Sequence, residues 1–176
     1  MELERVDRLT AGAVGEPGHR SFYLQAQHGA DVITLLVEKQ QVQLLAASIE
    51  ELLGKLEVDT GEGSGDDELQ LQEPLEPMWR VGRLSIGYHE ERDLMLLELE
   101  ELVDDAEEAE EGDEVGPVEE AQLVRVWATR EQMRGLARRG AEVVAAGRPL
   151  CQFCGNPLDP EGHVCPAMNG HGSPST

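Results

Sequence analysis

The residues best suited to chemistry lie close together near the C-terminus. Cys151-Gln152-Phe153-Cys154-Gly155 is followed by Gly162-His163-Val164-Cys165-Pro166, and together these hold all three cysteines of the chain. Two thiolates three residues apart can reach one ion, and the glycine after the second frees the backbone to turn its amides toward sulfur. Cys165 is the natural third ligand. His163 lies two residues before it on an extended segment, so both side chains face the same way. The spacing therefore predicts one tetrahedral zinc ion held by Cys151, Cys154, His163 and Cys165, with His171 as the alternative fourth ligand. Four protein ligands close the ion and make it structural. A missing fourth ligand would leave a position for an activated water. A redox Cys-x-x-Cys is a third reading, but it lacks a thioredoxin-like βαβ pattern upstream.

Other groups are less placed. Arg130, Arg134 and Arg138 recur every four residues on one helix stripe, with Arg139 beside them. They read as an anion or partner contact, or as a solvated face paired with the chain's own acids. The acidic run 104–114 reads as a solvated insertion or as a docking segment for a basic partner. His28 and His89 both sit in turns and look equivalent. Arg20 follows Gly15-Glu16-Pro17-Gly18-His19 and could touch an anion at a strand edge. A cleft near Arg20, Tyr23, His28 and His89 would be the place for an enzyme of unknown reaction. Gly61-Glu62-Gly63-Ser64-Gly65 lacks a preceding strand and a following Lys-Ser/Thr, so it is not a phosphate loop. No serine has a nucleophile-elbow context.

The elements that must position these groups follow from periodicity. Strands are expected at 6–14, 20–27 and 32–37, where apolar and polar residues alternate or run apolar. Val42, Leu45, Ala46, Ile49, Leu52, Leu53 and Leu56 then recur at helical spacing, predicting a helix that ends near Glu57. Strands return at 79–88, 94–99 and 123–127. A second helix spans 129–146, with Thr129 as its N-cap and Met133, Leu136, Ala137, Val143 and Val144 inward. The order strand-strand-strand-helix occurs twice, which reads as an internal duplication. The expectation is an α+β fold, with a largely antiparallel sheet of about six strands and both helices on one face. The boundaries are a first half 1–58, an acidic flexible linker 59–76, a second half 77–148 with an acidic insertion 104–117, a zinc knuckle 149–171 and a disordered tail 172–176.

Composition bounds the function. The formal net charge is −22, hydrophobic residues make up 40% and aromatic residues 3%. The core must be aliphatic. Such a charge repels phosphate backbones and anionic lipid, so bulk nucleic-acid or membrane binding is disfavoured and cationic protein partners are favoured. The charged start Met1-Glu2-Leu3-Glu4-Arg5 carries no signal-peptide core, and no apolar run approaches the roughly 18 residues that span a bilayer. These features imply a cytoplasmic protein, where thiols serve metals rather than disulfides.

Val14-Gly15-Glu16-Pro17-Gly18, Phe22-Tyr23-Leu24-Gln25-Ala26, Glu38-Lys39-Gln40-Gln41-Val42 and the two cysteine motifs resemble an uncharacterised, chiefly actinobacterial family, a domain of unknown function. The resemblance covers nearly the whole chain outside the acidic stretches. It implies a cytoplasmic protein ending in a zinc-binding cluster and brings no activity or catalytic residue with it. The resulting expectation is a non-enzymatic interaction or regulatory protein. A nucleic-acid regulator using the arginine stripe is an alternative.

Overall fold

Alternating apolar residues build the strands, and helical spacing builds the two helices that cover them. The computed structural model describes residues 1–56, 69–103, 121–147, 151–155, 158 and 165. The elements run β1 (Glu2–Leu3), β2 (Arg8–Val14), β3 (Ser21–His28), β4 (Asp31–Val37), α1 (Lys39–Lys55), β5 (Val81–His89), β6 (Leu94–Glu101), β7 (Leu123–Ala128) and α2 (Arg130–Ala145). This is an α+β fold. The strands form two sheets, ordered β2-β3-β4 and β1-β7-β6-β5. All neighbours are antiparallel except β1 and β7.

The expectation of about six strands in one sheet is therefore corrected, among the described residues, to seven strands in two sheets. The difference lies in the joins. Leu36 of β4 bridges Arg80 in parallel, with Leu36 N donating to Trp79 O at 3.0 Å and Met78 N to Thr34 O at 2.9 Å. At the other side β1 runs parallel to β7, and Val6 N donates to Trp127 O at 2.8 Å. Each third strand thus lies beside the segment that leads into the other half's first strand. Two-residue and one-residue pairings of this kind leave no periodicity to read.

One apolar core serves both sheets and both helices: Leu24, Leu35, Ile49, Leu97, Val126 and Leu136 all belong to it. Full burial of such a side chain stabilises by about 1.5–3 kcal/mol. The helices pack on each other through small residues. A Cβ on Gly140 of α2 would lie 3.2 Å from Val42 Cγ1 and 3.7 Å from Ala46 Cβ of α1.

The two βββα passes can be aligned by strand register. Phe22 faces Val37, Met95 faces Ala128, and Val37 and Ala128 each precede a helix start by two residues. Arg20 therefore matches Asp93, and Lys39 matches Arg130. Val6-Asp7-Arg8-Leu9-Thr10-Ala11-Gly12 likewise matches Val81-Gly82-Arg83-Leu84-Ser85-Ile86-Gly87. The supposed equivalence of His28 and His89 is corrected by the same register. His28 closes the β3–β4 hairpin, whereas His89 closes the β5–β6 hairpin and matches Val14.

Gln41 and Gln132 occupy matched positions in the first turn of each helix. The Gln132 side-chain oxygen accepts from Thr129 N at 2.9 Å, and its amide donates to Val6 O at 2.7 Å and Asp7 O at 3.2 Å. The Gln41 oxygen accepts from Glu38 N at 2.8 Å, and its amide donates to Val81 O at 3.0 Å and Gly82 O at 3.2 Å. Each glutamine caps its own helix and fastens the start of the other half. Thr129 is the N-cap of α2, its hydroxyl accepting from Gln132 N.

Residues 69–72, inside the stretch read as a flexible linker, are held on the outer face of the first sheet. Thr10 Oγ1 donates to Leu69 O at 2.5 Å. The Gln25 side chain accepts from Gln72 N at 2.8 Å and donates to Gln72 O at 2.9 Å. Leu71 fills the space above Gly12, where a Cβ would meet it at 2.4 Å. Pairing of this sort removes the cost of burying the Gln25 amide. Positions 59–68 of that stretch, with Gly61, Gly63 and Gly65, the acidic insertion 104–117 and the tail 172–176 lie outside the described residues. Among the described residues, no helix is long and apolar enough to cross a membrane.

Candidate metal centre

Cys151, Cys154 and Cys165 bring their sulfurs within 4.8 Å of one another. None forms a disulfide, and Cys151 and Cys165 are buried. The Cys151 and Cys165 sulfurs are 3.8 Å apart. Zinc–sulfur bonds of about 2.3 Å at a tetrahedral angle separate two thiolates by about 3.8 Å. The donor set therefore fits such an ion in both chemistry and spacing.

The local backbone explains how a short loop reaches this arrangement. Gly155 N donates to Cys151 O at 2.9 Å, closing a turn over the Cys-x-x-Cys. Gly155 has φ +72, a left-handed conformation that glycine adopts without steric cost. Phe153 N donates to Cys151 Sγ at 3.4 Å. The backbone N–H groups of Cys154, and then of Phe153, draw the Cys151 thiol below its ordinary pKa against the opposing effect of burial. Amides aimed at sulfur favour the thiolate, which is the form that binds metal. Phe153, between the two cysteines, is 70% exposed. Of the two candidate fourth ligands, His163 and His171 both lie outside the described residues.

The arginines of α2 are placed separately. Arg130 bonds to the Tyr88 hydroxyl at 2.5 Å and to the Asp93 carboxylate. Arg134 lies 3.5 Å from Glu50, while Arg138 and Arg139 lie 4.0 and 3.4 Å from Glu142. The acids that meet the stripe among the described residues are thus Asp93, Glu50 and Glu142.

The residues named for an inter-half cleft do not gather. Arg20 lines a cavity of about 470 Å³ with Lys39 and Arg80, and Tyr23, His28 and His89 are not part of its wall. His89 instead meets Trp127 edge-on, with ring centroids 5.8 Å apart.

Sequence reasoning missed Tyr88, Asp93 and the bonding roles of Gln41 and Gln132. The signal for the register was present in Val-x-Arg-Leu-Thr/Ser-x-Gly, which occurs at positions 6–12 and again at 81–87.

Comparison with curated proteins and with solved structures gives no match. Residues 1–165, which carry both βββα passes and all three cysteines, match the family described as "Protein of unknown function (DUF3090)", and the chain belongs to that family.

Proposed function

We propose that this is a non-enzymatic interaction protein whose C-terminal knuckle is folded by one structural zinc ion. Cys151, Cys154 and Cys165 hold the ion, and His163 completes it, with His171 as the alternative. The observation that carries this reading is the 3.8 Å spacing of two buried sulfurs inside a three-cysteine cluster. A closed ion supplies folding free energy to a short loop that has little apolar surface of its own. It also frees Phe153 to point outward, where an exposed aromatic is a natural anchor for a protein partner. Unpaired thiols of this kind belong in a reducing, cytoplasmic setting.

The reading of the two halves as a duplication is supported by the shared strand register, the repeated Val-x-Arg-Leu-Thr/Ser-x-Gly and the matched glutamines.

Elemental analysis of the purified full-length chain tests the metal. One zinc per chain is expected, with loss of bound zinc in Cys165→Ser. His163→Ala should lower zinc affinity and His171→Ala should not. Metal-free protein with an unchanged C-terminal fold would overturn the proposal, as would a bound zinc carrying an exchangeable water.

A further inference from the structure

In the second half, the residue before β6 is Asp93, and it closes an ion pair with Arg130 at the start of α2. Tyr88 joins them: its hydroxyl donates to Asp93 Oδ1 at 2.8 Å and accepts from Arg130. In the first half the matched positions are Arg20 and Lys39. Where one half sets an acid against a base, the other sets two bases against each other.

Those two bases converge. A point one Cβ length above the Gly147 backbone lies 3.1 Å from Arg20 Nη2 and 3.2 Å from Lys39 Nζ. No carboxylate lies within ion-pair distance of either among the described residues. Arg80 lines the same cavity of about 470 Å³ and takes up Glu38, the one acid among its described lining residues, at 2.8 Å. Arg20 is fixed by stacking over the Phe22 ring, 5.4 Å from its centroid. The cavity is therefore cationic on one side. Leu36, half-buried, gives the rest of its wall an apolar patch beside the buried Phe22 and Val37.

Like charges held this close without a counter-ion are unfavourable, and the matched corner relieves the same juxtaposition by placing an acid, Asp93, at the position of Arg20. The chain's net charge of −22 repels polyanions at long range. At an ionic strength of about 0.15 M that repulsion fades beyond roughly 8 Å, so it does not cancel a local cluster. A compact dianion with three or four oxygens can bridge a guanidinium and an ammonium at once.

We propose that the Arg20–Lys39–Arg80 cavity binds the phosphoryl group of a small phosphorylated organic molecule, whose carbon body lies against Leu36. Arg20 and Lys39 hold the phosphoryl oxygens. Arg80, turned toward Glu38, sets the outer edge of the site.

Isothermal titration calorimetry of the full-length chain at about 0.15 M ionic strength, with inorganic phosphate and with phenyl phosphate, tests this. Saturable binding of both is expected, with phenyl phosphate tighter. Arg20→Gln and Lys39→Gln should each weaken it about tenfold or more, the loss of one charge-assisted contact. Lys55→Gln, in an exposed pair elsewhere on α1, should leave it unchanged. Arg20→Asp installs the acid found in the matched corner. It should abolish binding and raise the melting temperature of the ligand-free protein. Absence of heat with both ligands overturns the site, as does equal affinity in wild type and Arg20→Gln. Equal affinity for the two ligands overturns the organic body. A melting temperature lowered by Arg20→Asp overturns the charge argument.

Discussion

The corner where β7 passes into α2 and the corner where β4 passes into α1 are built to one plan and finished differently. Both use a glutamine in the first helical turn to cap the helix and to tie down the strand that opens the other half. Both place a long cation at the first helical residue, Arg130 or Lys39. At the second corner Asp93 and Tyr88 occupy that cation, and Arg92 covers the Trp127 ring at 4.3 Å. Trp127 Nε1 donates in turn to Glu2 at 2.6 Å. At the first corner the equivalent of Asp93 is Arg20, and a cavity remains. A shared hydrogen-bonding frame can thus carry either an internal ion pair or an unneutralised cationic pocket. The frame recurs at both corners, and the cationic cavity, which Arg80 and Gly147 of the second half help to line, stands at the first corner.

The most disruptive way to test the common frame is through the helix contact. Gly140 matches Ile49 by helix register, and its missing side chain lets Val42 and Ala46 approach. Gly140→Leu should cost about 3 kcal/mol in denaturant unfolding, because a Cβ there already lies 3.2 Å from Val42 Cγ1 and the rest of the side chain must push α1 away. A loss below about 1 kcal/mol would mean that the helices separate freely and that the two halves are not packed as one body. The glutamines come next. Gln132→Ala removes a helix cap and a part-buried bond to Val6 O, and should cost about 2 kcal/mol. Gln41→Ala removes the matched bonds, with its cap bond to Glu38 N exposed where that of Gln132 to Thr129 N is part-buried, and should cost about 1 kcal/mol. Equal losses would show that the two corners are closer in strength than their exposure suggests. No loss at either would break the comparison.

The helices, the strands that show alternation and the cysteine cluster were legible because each rests on a local signal. Val42, Leu45, Ala46, Ile49 and Leu53 report α1 through spacing alone, and all five are buried. Thr129 announced the start of α2 by the chemistry of its hydroxyl. The joins between halves were not legible. Leu36 beside Arg80 and Leu3 beside Val126 are parallel pairings between segments 44 and 123 residues apart, and nothing in either segment selects its partner. The pairing of His28 with His89 failed for a related reason. Turn residues resemble one another by composition, whereas equivalence is set by the strands they join. The anchoring of residues 69–72 depended on Gln25, an apparently ordinary polar residue on a strand. Its amide meets the backbone donor and acceptor of Gln72 in addition to Arg8 and Thr34 on its own sheet.

The smallest expected effect is also the most specific to the second corner. Asp93 is held below its ordinary value of 3.8 first by the Tyr88 hydroxyl and then by the Arg130 charge, against the cost of desolvation. A carboxylate with a depressed folded-state pKa contributes stability above its unfolded-state pKa, and loses it as pH falls through the folded-state value. Asp93→Asn should therefore melt below wild type at pH 7. The gap should stay constant down to about pH 5, then close as the pH is lowered through the depressed pKa. Arg20→Gln, at the matched position, removes no carboxylate and should leave the acid limb of the wild-type profile unchanged. The two pH profiles separate the corners without reference to any ligand. A gap for Asp93→Asn that persists to pH 2 would assign the stabilisation to the neutral hydrogen bond with Tyr88 and not to the charge on Asp93. The contrast with Arg20 would then be one of shape rather than of electrostatics.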